Sequence, residues 1–175
     1  MKNLILAALA IGSSQACANS PILVVDLSEA YSRSTALAGL LADVDRELQD
    51  LSARHRPELD RLKGELRKLK QQGANTRDQQ LQIAKRISDI ETTAELEQDR
   101  LSIANQNAIA TVNAAIAGVK STLQKQSQAR IVLDIQETHY VRPSCACIAT
   151  ERLYELLNSA LPRVELRIDE VASSR

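Results

Sequence analysis

The sequence predicts a mainly α protein with a small β head: a long antiparallel helical hairpin, a coiled-coil arm, attached to a β-rich body. Three observations predict it. Leu37, Leu41, Val44, Leu48 and Leu51 recur at alternating spacings of four and three, the seam of a coiled coil or helix bundle. A polar turn near residues 71–76 is followed by a second apolar seam of similar reach. Short β-prone runs flank the pair, and the chain has no Trp, no Phe and only three tyrosines, Tyr31, Tyr140 and Tyr154, all outside the hairpin. Large aromatics normally fill compact cores, so the arm is a thin-seamed coil and only the head is globular. A hairpin whose stripes find too little to bury against is built to work as an oligomer.

Residues 1–18 have the marks of a secretory signal peptide: Lys2, an apolar run from Leu4 to Ile11, and Ala16-Cys17-Ala18 as a small-residue cleavage pattern. Cleavage after Ala18 leaves a chain from Asn19 without a stretch long enough to span a bilayer. A rival reading makes Cys17 a lipid-bearing first residue, although Ser14-Gln15-Ala16 lacks the usual leucine. Residues 19–34 and 128–175 then form the head, and 35–127 the arm.

Ile22-Leu23-Val24-Val25 reads as a strand, with Asp26 or Ser28 capping the helix that follows. Pro57 is expected to kink or restart the first arm helix, and the stripe resumes as Leu59, Leu62, Leu66 and Leu69. Eight residues separate Leu51 from Leu59 where seven continue the repeat, so the seam shifts by about 100°. Gly73 suits a left-handed turn position, and Thr76 with Gln79 forms a capping-box pattern. Ile83, Ile87, Ile90, Ala94, Leu101, Ala104, Ala108, Val112, Ile116, Val119 and Leu123 supply the returning seam, with Glu97 as its polar exception. Ala129 to Ile135 is a second strand, Thr138 to Val141 pairs with it as a hairpin, and Pro143 ends that run. Thr150-Glu151 caps a helix carrying Leu153, Tyr154, Leu156 and Leu157, and Val164 to Ile168 alternates as a last strand.

Without Lys2 the chain carries 21 basic and 22 acidic residues. Between Arg61 and Arg86 the basic residues are Arg61, Lys63, Arg67, Lys68, Lys70, Arg77, Lys85 and Arg86, against only Glu65 and Asp78, a net of plus six at the tip. Such a tip suits an anionic membrane surface or acidic client patches, with a strength that falls as salt rises. Nearer the head, Asp43, Asp45, Glu47 and Asp50 face Asp89, Glu91, Glu95, Glu97 and Asp99. Nucleic acid is disfavoured, because no aromatic platform lies among these charges. Cys145 and Cys147 suit a local bridge, an intersubunit bridge or free thiols; with His139 they do not make four ligands at a recognisable metal spacing. His55, between Arg54 and Arg56, reads as a solvent-facing helix residue. No nucleophile–histidine pair or glycine-rich phosphate loop points to an enzyme, and no cofactor is implied.

With Ile22-Leu23-Val24-Val25-Asp26, the charged hairpin, Ile131-Val132-Leu133-Asp134, Tyr140 and Leu153-Tyr154-Glu155-Leu156-Leu157-Asn158 in view, the chain resembles the Skp/OmpH family of periplasmic chaperones over essentially the whole mature length. The resemblance implies a homotrimer in which three hairpins enclose a cavity for unfolded outer-membrane proteins, working in the periplasm without nucleotide. On it, Ile22, Val24, Ile131, Leu133 and Tyr140 belong to the oligomerisation head, and Leu59, Leu62, Leu66, Ile83, Ile87 and Ile90 are the first candidates for client contact. Those six equally suit a role in zipping the two helices together. The near-neutral balance and the loop Pro143-Ser144-Cys145-Ala146-Cys147 depart from the family's best-known members. The competing reading is an exported coiled-coil adaptor that binds one folded envelope partner.

Overall fold

The computed structural model describes residues 21–72, 76–138, 141–142 and 145–168. The elements in order are β1 (Ile22–Val25), α1 (Leu27–Ser32), α2 (Thr35–Gln72), α3 (Arg77–Gln126), β2 (Ile131–Asp134), a 3-10 turn (Ile135–Glu137) and α4 (Thr150–Ala160). Two helices of 38 and 50 residues thus dominate a two-stranded sheet. The signal-peptide reading, the Cys17 lipid, Gly73, His139, Tyr140 and Pro143 lie outside the described residues. Among the described residues no helix is long and apolar enough to cross a membrane.

The chain divides into two compact units, one within Met1–Ala38 and Thr111–Arg163, the other within Gly39–Ala110 and Val164–Arg175. In the first, β1 and β2 pair in parallel, Ile22 opposite Ile131 and Val25 opposite Asp134. The other edge of β1 is also occupied: Val24 N–H donates to Cys147 O (2.8 Å), and Ala149 N–H donates to Val24 O (2.9 Å). Leu23 and Val25 point from β1 into a core of Ala30, Val119, Leu123, Ala129, Ala149 and Leu153, with Val132 packed against it.

Short polar links fix the helix ends in this unit. Asp26 caps α1, accepting from Glu29 N–H (3.0 Å) and the Ser28 hydroxyl (2.8 Å), and these hydrogen bonds hold its carboxyl below the usual aspartate range. Ser34, buried, starts α2 by accepting from Leu37 N–H (3.3 Å). Asn158 clamps the α1–α2 junction, accepting from Thr35 N–H (2.9 Å) and donating to Arg33 O (3.2 Å). The Arg33 guanidinium lies 3.8 Å from the centroid of the Tyr154 ring.

Four expectations are corrected. β2 stops at Asp134 because that carboxylate accepts from Gln136 N–H (3.3 Å) while Glu137 accepts from Asp134 N–H (3.1 Å), a capping box that turns the chain. Thr138 accordingly ends the 3-10 turn, Val141 lies in no strand, and the partner of β2 is β1. Thr150 is the first residue of α4 and not its cap; its hydroxyl accepts from Asp26 N–H (2.8 Å), tying α4 to the end of β1. Val164 to Ile168 forms no strand: no strand lies among the described residues of the segment's own unit, and Leu166 and Ile168 instead line a cleft with Leu51, Arg54, Glu97 and Leu101.

In the second unit, the stretches of α2 and α3 pair antiparallel. Thr76 meets Leu69 (3.0 Å), Lys63 meets Glu91 (2.8 Å) and His55 meets Glu97 (3.0 Å), so partners separate in number with distance from the turn. Leu40, Leu62, Ile87, Leu101, Ala104 and Ala108 are buried, while Leu41 and Leu48, expected in the seam, are 57% and 41% exposed. The fourth correction concerns Pro57, which does not break α2: helix runs through it, and both Pro57 and Ala53 are exposed, so water can satisfy the carbonyl that a proline four residues later leaves unbonded.

Leu153 is fully buried where α4 meets the head core, so truncating it leaves a cavity among Leu23, Val25 and their neighbours. Leu153→Ala is expected to cost about 3 kcal/mol, read as a lower urea midpoint at unchanged slope.

Candidate client-binding and assembly surfaces

The head offers an apolar sheet face. Successive strand residues alternate sides, and Leu23, Val25 and Val132 take the core side. The register therefore gathers Ile22, Val24, Ile131 and Leu133 on the opposite face. Val24 is buried there and Leu133 half-buried, while the rung Ile22–Ile131 is 45% and 44% exposed. Two β-branched side chains left side by side in water form a surface suited to a partner. Tyr140, the fifth predicted residue of this group, lies outside the described residues.

In the arm unit, the structure separates the six candidate client contacts. Leu62 and Ile87 are buried in the seam, so they zip α2 to α3; Leu59, Leu66, Ile83 and Ile90 are half-buried at its borders. The more accessible apolar side chains are Leu41, Leu48, Leu81, Leu96 and Ile109, of which Leu81 is 63% exposed. Leu81, Leu96 and Ile109 were missed in the sequence, and the available signal was that they sit off the α3 seam.

The basic tip is partly neutralised. Arg61 pairs with Glu58 (2.7 Å) and Glu65 (2.9 Å), Arg86 with Glu58 (3.0 Å), and Lys63 with Glu91 (2.8 Å). The Arg61 hydrogen bond holds the Glu58 carboxyl below its ordinary range. Two of these acids, Glu58 and Glu91, lie just outside the window 61–86, which is why the count of plus six overstates the field. Arg67 turns its Nε toward Lys63 O (3.3 Å). Lys68, Lys70, Arg77 and Lys85 are exposed and make no ion pair among the described residues, so the effective patch is smaller and closer to the turn.

Closer to residues 47–54, a cleft of about 390 Å³ is lined by Glu47, Leu51, Arg54, Glu97, Arg100, Leu101, Leu166 and Ile168. His55, expected to face solvent, instead crosses the seam: its Nε2 lies 3.0 Å from Glu97 Oε2, with Arg54 3.5 Å from the same oxygen. The polar interruption of the α3 seam thus has its partner on α2. The His55 hydrogen bond holds the Glu97 carboxyl below the ordinary glutamate range, against the opposing effect of burial, and Arg54 adds to the lowering. Among the described residues no cluster of three or more His, Cys, Asp or Glu is placed to hold a metal.

This geometry, a long helical pair and a small parallel sheet, defines the OmpH/Skp-like fold. A crystal structure from Caulobacter crescentus, of a protein assigned provisionally as an OmpH-like outer membrane chaperone, superposes with a TM-score of 0.66 at 17% identity, covering 86% of this chain and 93% of that one. No protein-family model matches the sequence, and no curated protein is similar to it.

A carboxylate with a depressed folded value stabilises the fold above its unfolded value and loses that contribution as pH falls through the folded one. Glu97→Gln is therefore expected to lower stability by about 1 kcal/mol at pH 7, discounted for partial exposure. The gap between wild type and variant should begin to close as the pH falls below 4.5, the ordinary value for the group, and vanish only once the pH has passed the lower folded value. Urea titrations at a series of pH values measure it.

Proposed function

We propose that the protein is an ATP-independent holdase chaperone of the periplasm, which binds unfolded outer-membrane proteins in a cavity between helical arms of a homotrimer and keeps them from aggregating. The observation that carries this reading is the superposition on the OmpH-like chaperone over 86% of the chain. No step in it is catalytic, and it needs no cofactor.

Two surfaces support it. The exposed rung Ile22–Ile131, with Leu133 beside it, is the natural contact between heads, since an apolar sheet face gains by meeting its own copies. The arm presents single exposed leucines, Leu41, Leu48, Leu81 and Leu96, interspersed with charge, and not one deep pocket. Burying each yields at most about 1.5–3 kcal/mol, so a client is held by several such contacts, with Leu59, Leu66, Ile83 and Ile90 joining where the seam opens. Unpaired strands held apart in this way cannot pair with one another. Lys68, Lys70, Arg77 and Lys85 suit anionic membrane surface at the tip.

Size-exclusion chromatography with light scattering should give a mass of three subunits, rising by one client when a urea-unfolded outer-membrane barrel protein is diluted in. A stable oligomer that lets the client aggregate would favour the adaptor reading. Ile22→Asp should lower the mass toward one subunit, because each copy would desolvate a carboxylate at the interface. Leu81→Ser with Leu96→Ser should keep the trimer and weaken client affinity by about tenfold, read by fluorescence titration.

A further inference from the structure

The bridge between Cys145 and Cys147 has no part in these surfaces. It joins cysteines two positions apart, around the single exposed residue Ala146. Cross-links stabilise a fold by restricting the unfolded chain, an effect that shrinks with the length of the closed loop, so this bridge adds little to folding. Pairing within one chain also removes both sulfurs from any bridge between subunits.

Its setting is fixed and asymmetric. Cys147 O accepts from Val24 N–H (2.8 Å), Cys145 N–H donates to Arg142 O (2.9 Å), and Ile148 N–H donates to Cys145 O (3.2 Å). The short loop is therefore held by β1 and by its own turn. Within it, the Cys147 N–H donates to Cys145 Sγ at 3.2 Å. A backbone donor aimed at one sulfur of a pair stabilises the thiolate on that sulfur and makes it the better leaving group. Both cysteines are half-buried, and Ala146 between them is exposed, so the loop that carries the bridge is reached by solvent.

We infer that Cys145 and Cys147 form a redox-active disulfide that oxidises cysteine pairs in polypeptides. A substrate thiolate attacks Cys147 Sγ; the bridge breaks, and its electron pair leaves on Cys145 Sγ, where the Cys147 N–H receives it. The substrate is then joined to Cys147 by a mixed disulfide. Its second thiolate attacks its own bridged sulfur, forms the substrate disulfide and expels Cys147 as a thiolate. The substrate loses two electrons and two protons, and the Cys145–Cys147 dithiol gains them. Reoxidation takes the reverse pair of exchanges with a small-molecule disulfide such as glutathione disulfide. This activity goes beyond client holding and does not depend on it.

The test uses the full chain carrying Cys17→Ser, oxidised, with a synthetic two-cysteine peptide whose closure quenches a fluorophore. One peptide should be oxidised per chain, at least ~10-fold faster than by glutathione disulfide at equal concentration. After quenching with N-ethylmaleimide, mass spectrometry should find trapped peptide on Cys147 and the maleimide on Cys145. Reduced protein, and Cys145→Ser with Cys147→Ser, should keep the far-ultraviolet helical signal and thermal midpoint, and the double variant should not oxidise the peptide. A rate no faster than glutathione disulfide overturns the inference. So does loss of the helical signal on reduction, which would make the bridge structural, or trapped peptide on Cys145, which would reverse the leaving group.

Discussion

Everything in the head depends on β1 being held on both edges, by β2 along its length and at Val24 by the segment before α4. One edge pairs with β2, more than a hundred positions later, and the other with Cys147 and Ala149, later still. Closing loops of that length costs chain entropy that only slowly grows with length but must be met before either contact forms. What meets it is burial: Leu23 and Val25 have no exposed surface, and they are packed by residues from α3, α4 and the segment after α3. The Asp26 N–H to Thr150 hydroxyl bond then ties the end of β1 to the first residue of α4. With β1 central, the chain leaving it and the chain returning to it must be joined by a helical excursion, and α2 and α3 are that excursion.

The arm unit obeys a different balance. Its buried side chains are few: between residues 59 and 90 only Leu62 and Ile87 are buried among the described residues, and only Leu62 completely. Cross-helix polar contacts supplement them: Lys63–Glu91, Arg86–Glu58 and His55–Glu97 each join α2 to α3. Exposed ion pairs contribute little apiece, and salt weakens them. Register is their stronger contribution, since a slip of the helices would separate all three pairs and leave Glu97 half-buried beside apolar groups. A seam specified in this way holds its alignment without being tightly sealed.

Helix existence, the turn, the two real strands and the seam from Leu101 to Leu123 were legible because each rests on local pattern. The failures came where tertiary context decides. Leu41 and Leu48 fit a heptad, yet the facing stretch of α3 does not cover them. Val164 to Ile168 alternates as a strand does, but its apolar residues Leu166 and Ile168 lie against side chains of α2 and α3 and not beside a strand. Thr138 is β-prone, but the Asp134–Glu137 capping box redirects the chain there, and Thr138 ends the 3-10 turn instead of opening a strand. For the surfaces, the resemblance suggested Ile22, Val24, Ile131 and Leu133 for the head and the register puts them on one side of the sheet, whereas the exposed leucines of α3 lie off the seam that periodicity marks. The charge count failed for a simpler reason: ion pairs reach across helices to acids outside any window drawn along the chain.

The exposed apolar side chains of the arm unit impose a constraint of their own. Contiguous apolar area draws copies together, whereas scattered single residues do not. Leu81 has Lys85 and Arg77 each within one helical turn, and Leu96 has Asp99 and Arg100 three and four positions on, so any neighbour that covers these leucines must also accommodate charge. A folded surface offers few such matches, because its own apolar groups are already buried. An unfolded chain can arrange its side chains to suit, taking one leucine here and another there, and the summed contacts hold it while each remains weak enough to exchange. On the holdase function proposed above, leucines exposed singly among charges would favour unfolded over folded partners, because only an unfolded chain can fit its side chains to each in turn.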